Sequence, residues 1–108
     1  MYVHIRKYRL VNAPWRNVIK LDDYDVLIKQ IISSVFGADL VDVVVEESSF
    51  TIMVNCEAEK LPHGVLVNMG KKLAANLQHI TACAMRTYQV NSHPDSRQLF
   101  HCFDAACL

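Results

Sequence analysis

Residues 40–56 read Leu40-Val41-Asp42-Val43-Val44-Val45-Glu46-Glu47-Ser48-Ser49-Phe50-Thr51-Ile52-Met53-Val54-Asn55-Cys56, two β-branched runs parted by a pair of serines. Val41, Val43 and Val45 line one side of the run from Leu40 to Glu47. Phe50, Ile52, Val54 and Cys56 line one side of the run from Phe50 to Cys56. Period-two spacing around a short polar break predicts an antiparallel hairpin. A lone hairpin is marginal in water, so the flanking sequence must supply the layer that covers it.

Upstream, Leu27, Ile28, Ile31, Ile32 and Val35 recur at helical spacing, and Gly37 suits the left-handed cap that ends a helix. Asp22 is placed as the N-cap, with Leu21 and Val26 as a hydrophobic staple. Before it, Asn12 to Lys20, with Pro14, reads as a loop. Residues 2–10 open as a strand, with Val3 and Ile5 pointing one way and Tyr2, His4 and Arg6 the other; Lys7 breaks the phase, so a bulge or an end is expected there. Downstream, Leu61-Pro62-His63-Gly64 leads into a second helix with a buried stripe of Leu66, Met69, Leu73, Leu77 and Ile80. Thr81 to Val90 is a fourth strand, and Asn91 through Pro94 a turn. Leu99, Phe100, Phe103, Ala106 and Cys107 fit a short amphipathic helix better than the alternative strand of Leu99, His101 and Phe103.

The order is βαββαβ plus a tail, an α+β chain of the ferredoxin-like, two-layer type with a short C-terminal extension. Residues 1–90 form the domain, and 91–108 a turn and short segment packing on it. The first and third strands are expected at the centre of the sheet and the second and fourth at its edges, with both helices on one face. If the valine and phenylalanine positions face the helices, the opposite face carries Tyr2, His4, Arg6, Leu40, Asp42, Val44, Glu46, Thr51, Met53, Asn55, Cys83, Met85 and Thr87. That half-apolar face is expected to be covered by a second copy or by the tail, the homodimer being the preferred reading, with Tyr2, His4, Arg6, Met53 and Met85 as contacts.

A 108-residue chain with 52% hydrophobic residues builds one core. It has no apolar run near the roughly 18 to 20 residues a membrane span needs, and its first twenty residues lack a secretory h-region. A cytoplasmic protein with no membrane association is expected. Cys56, Cys83, Cys102 and Cys107 are too few for a disulfide scaffold, and Cys56 and Cys83 sit in apolar strand-like runs, so reduced thiols are expected.

The net charge is zero, yet the charges are sorted. Residues 1–20 carry Arg6, Lys7, Arg9, Arg16 and Lys20 without an acid; residues 21–59 carry nine acids against Lys29 alone; residues 60–108 are mildly basic. Segregated charge bears on partners and encounter rates, not on fold. Acids on an edge strand also prevent sheet-to-sheet aggregation, a second explanation for part of the pattern.

Chemical signatures are weak. His93, His101, Cys102 and Cys107 are zinc-ligand types, but their spacing matches no standard site. Cys83 has only His4 as a conceivable activating partner, and a His4–Asp42 dyad is blocked by the strand expected between them. Neither cofactor nor metal is expected. Trp15, His79, His63 or Asn55 would line a pocket between sheet and helices if the chain were a small enzyme. An RNA-binding sheet would use Tyr2, Arg6 and Arg9, yet the third strand lacks its exposed aromatic. The leading expectation is a non-enzymatic protein-interaction domain of inhibitor, immunity or adaptor type. It would engage a basic protein partner through Asp39, Asp42, Glu46 and Glu47, joined by Asp22, Asp23 and Asp25; nucleic acid ranks lower as a partner.

Overall fold

The alternation of residues 40–56 folds as a hairpin of β2 (Leu40–Val45) and β3 (Ser49–Cys56), closed by a Glu46 N–H donating to the Ser49 carbonyl at 2.8 Å. The computed structural model describes residues 1–10, 21–76 and 80–90. Within them the other elements are β1 (Tyr2–Leu10), α1 (Leu21–Phe36), α2 (His63–Asn76) and β4 (Ile80–Gln89). The four strands form one antiparallel sheet in the order β2-β3-β1-β4, which makes this an α+β architecture with β3 and β1 central. The loop, the tail and Leu77 lie outside the described residues.

Helix α1 buries Ile28, Ile31, Ile32 and Phe36 while Lys29, Gln30 and Ser33 stay exposed, the division its apolar spacing demands. Asp22 falls inside its first turn, not ahead of it as an N-cap. Gly37 ends it with φ of +58°, a left-handed conformation that L side chains rarely adopt, and a 3-10 turn over Gly37–Asp39 delivers the chain to β2. At the start of α2 the Pro62 carbonyl accepts from the N–H groups of Val65 (3.1 Å) and Leu66 (3.3 Å). Met69 and Leu73, one turn apart, are its buried residues; Ile80 belongs to β4 instead of extending the stripe.

Between sheet and helices, Tyr8, Phe50, Ile52 and Val54 pack against Ile28, Ile32, Met69 and Leu73, and the Tyr8 and Phe50 rings stack with centroids 5.4 Å apart. Burying such side chains stabilises by about 1.5–3 kcal/mol each. A second cluster, Val3, Ile5 and Met53 with Val41, Ala84, Tyr88 and Val90, occupies the other face.

That second cluster corrects the assignment of faces. Val3 and Ile5 stand opposite Asn55 and Met53, pointing away from the helices, whereas His4, Arg6 and Tyr8 stand opposite Val54, Ile52 and Phe50 on the helix side. Tyr2, Met85 and Thr87 share the helix-side register, so of Tyr2, His4, Arg6, Met53 and Met85 only Met53 lies on the far face. The physical reason is that β1 is covered on both sides: Val3, His4 and Ile5 are all buried, and alternation cannot tell two covered faces apart. In β2 a bulge at Val41 also reverses the phase, sending Leu40 to the helix side and Val41 to the far cluster. The irregularity anticipated near Lys7 exists, but the extra residue is on the partner strand: Lys7 pairs with Ala84 and Tyr8 with Ala82, leaving Cys83 between them.

At the corner where β1 begins and β4 ends, the Val90 N–H donates to the Met1 carbonyl at 3.0 Å.

Candidate partner-binding surface

The acidic block is distributed by the topology into two ends of the β2 edge. Glu46 and Glu47 are exposed in the β2–β3 turn, where the Leu10 N–H donates to the Ser48 carbonyl at 2.9 Å and ties the end of β1 to that turn. Helix α1 follows β1 and runs back to β2, so its first turn, with Asp22, Asp23 and Asp25, lies at that same end of the sheet. Asp25 forms an ion pair with Lys29 at 3.2 Å, one helical turn away and partly exposed, worth about 0.3–0.5 kcal/mol. Arg9, exposed and opposite Ser49, brings a base to the same end.

Asp39 is exposed at the other end, where it lines a cleft of about 240 Å³ with Met1, Ala38, Asn55, Cys56 and Glu57. Glu57 therefore extends the acidic surface there, which sequence reading missed; its only signal was membership of the acidic block. Asp42 sits between the two ends, half-buried, in register with Met53 on the face away from the helices, and its Oδ1 accepts the Val43 N–H at 2.8 Å. A second cleft of about 300 Å³ runs along β2 between Lys29, Ser33, Leu40, Val41, Asp42 and Val43. A six-residue strand spans about 20 Å, so the two acidic ends are that far apart. Asp39, Glu46 and Glu47 thus bracket one edge, while Asp42 opens to its back.

The other candidate chemistry is dispersed. His4 is 4% exposed and held by two contacts: its Nδ1 lies 3.1 Å from Thr87 Oγ1 and its Nε2 3.3 Å from the Ala58 carbonyl. Asp42 is two strands away on the opposite face, which removes the dyad. Arg6 lies along Tyr8, its Nε donating to the Tyr8 hydroxyl at 2.6 Å and its guanidinium 5.6 Å from the ring centroid. That contact fixes it on the helix side, so Tyr2 and Arg6 cannot join Met53 in a base-stacking platform, and the centre of that platform, Val3, Ile5 and Met53, is buried. Cys56 is a free thiol at the end of β3, half-buried, its Sγ 4.0 Å from the Lys60 carbonyl; Cys83 is a free thiol and exposed, not enclosed in an apolar strand.

The centre of the layer between sheet and helices is packed with apolar side chains, and at its margin a cleft of about 120 Å³ lies between the end of α1, β3 and the approach to α2, lined by Phe36, Asp39, Val54, Asn55, Cys56 and Leu61. His63 is exposed at the start of α2. Trp15, Arg16, Lys20, His79, His93, His101, Cys102 and Cys107 lie outside the described residues. Among the described residues no group of three or more His, Cys, Asp or Glu could hold a metal ion, and no helix is long and apolar enough to cross a membrane.

No protein-family model matches this chain, no curated protein matches its sequence, and no solved structure matches it.

Proposed function

We propose that this chain is a protein-interaction domain, of inhibitor, immunity or adaptor type, that lays the acidic β2 edge against a basic protein surface. The βαββαβ element order, the antiparallel sheet and the central placing of β1 and β3 support a ferredoxin-like frame for it. The observation that carries the function is the bracketing of one edge strand by exposed acids, Asp39 at its start and Glu46 and Glu47 at its end, with a cleft alongside. Such a strip steers a cationic partner from a distance and fixes its register on contact.

The test uses the full chain and its D42K/E46K/E47K variant. Titration with an oligolysine peptide should show salt-sensitive binding that the variant weakens roughly tenfold to a hundredfold, each reversed rim charge counting for roughly 0.5–1 kcal/mol. A basic protein recovered from the native host by the parent chain should escape the variant. Equal binding by both, with an unchanged circular dichroism spectrum, would overturn the reading.

A further inference from the structure

The two edges of the sheet differ in kind. The β2 edge is short, six residues, carries Asp42, is flanked by Asp39, Glu46 and Glu47, and is bulged at Val41. Short length, charge and a bulge are the devices by which natural sheets discourage strand addition. The β4 edge has little of this protection. It is ten residues long, Ile80 to Gln89, and carries a single charge, Arg86. Seven of its ten residues are exposed, and Met85, at 63%, is the most exposed large apolar side chain among the described residues. The β4 edge shares one device with β2, a bulge at Cys83, whose Sγ donates to the Lys7 carbonyl at 3.4 Å, so length and charge are what separate the two edges.

We infer that β4 is the dimerisation edge: two copies of this chain join their β4 strands antiparallel about a two-fold axis, extending two four-stranded sheets into one of eight. A second copy is the occupant that the charges select. Joining β2 to β2 about a two-fold axis at its middle would set Asp42 beside its own image and Glu46 beside Asp39 of the other copy, acid against acid at several positions, whereas β4 brings only Arg86 near its image. Joining β2 to β4 would satisfy charge, but it is head-to-tail and leaves an open edge at each end, so it builds chains; β4 on β4 uses one surface twice and closes. Backbone N–H and C=O groups on the outer side of β4 then find partners, and Met85 leaves solvent. The β2 edge stays open at both ends of the extended sheet, so this pairing is independent of the acidic-edge reading.

The experiment is light scattering on the full chain from micromolar to millimolar concentration, with reductant present so that exposed Cys83 cannot link copies covalently. The mass should rise from 12.3 kDa to twice that value. An A82K/M85K variant, folded by circular dichroism, should remain monomeric, while D42K/E46K/E47K should dimerise as the parent does. Hydrogen exchange gives a second readout that needs no variant: protection should grow with concentration in residues 80–89 and not in 40–45. A parent chain that stays monomeric throughout, a dimer that survives A82K/M85K, protection gained at 40–45, or growth beyond two copies would each overturn the inference.

Discussion

Ile5 stands directly opposite Met53 across the β1–β3 pair, and both are fully buried on the sheet face that points away from the two helices. A half-covered antiparallel sheet would leave that pair wet. Its burial means that the central strands carry apolar load on two sides, and the cost of disturbing the far face should resemble that of a core.

Met53→Ala should therefore destabilise the fold by about 2–5 kcal/mol, the range for removing a buried methionine side chain. Val44→Ala, on the same face but 38% exposed on the edge strand, should cost less than about 1 kcal/mol. Urea unfolding of both variants makes the comparison; similar small losses would show that the far face is a loose surface.

The loss of His4 should be felt through its neighbours. His4→Ala removes both the Thr87 hydroxyl contact and the Ala58 carbonyl contact from a site 4% exposed, at a cost of about 1–3 kcal/mol. Pairing it with Thr87→Val in a double-mutant cycle should return a coupling of about 0.5–1.5 kcal/mol, whereas strictly additive losses would show that the 3.1 Å contact contributes nothing.

Gly37 makes a conformational prediction in which sterics play no part, because nothing lies within 4 Å of where its Cβ would be. Gly37→Ala should cost about 1–2 kcal/mol from the positive φ alone. Gly70→Ala, in the middle of α2 and equally unobstructed, should instead stabilise by roughly 0.5–1 kcal/mol. Opposite signs in thermal unfolding would separate backbone conformation from packing.

Thiol labelling should rank the two described cysteines by access. Cys83, exposed on β4, should react with a neutral alkylating reagent faster than Cys56, which is half-buried beneath the turn that ends at Lys60. Peptide mapping after brief labelling reads the ratio, and dimerisation through β4 should slow Cys83 selectively as concentration rises.

The local elements were legible because each rests on a short-range rule. Alternation around Ser48-Ser49 produced the hairpin, helical spacing from Leu27 to Val35 produced α1, and Gly37 capped it as its lack of a side chain allows. Facing was not legible in β1, since Val3, His4 and Ile5 are buried in succession and period two carries no sign when both sides are dry. Val41 concealed its own bulge, because an extra valine inside Leu-Val-Asp-Val-Val-Val leaves the composition unchanged while reversing Leu40 and Val41. The acids were visible as a block, but only the topology showed that Asp39 joins Glu57 at one end while Glu46 and Glu47 join the start of α1 at the other. The β4 edge, with Arg86 as its one charge, was overlooked because a scarcity of charge draws less notice than a cluster of it.

The hydrogen bond between Val90 and Met1 has a mechanical corollary. β1 and β4 are antiparallel neighbours, so the start of one and the end of the other meet at a single corner of the sheet. A tension applied between those two points loads the rungs of the β1–β4 ladder one after another, from that corner inward, instead of all at once in shear, because antiparallel rungs run perpendicular to the strands. The fold should open under such a pull like a zipper, at low force, with β4 peeling away first.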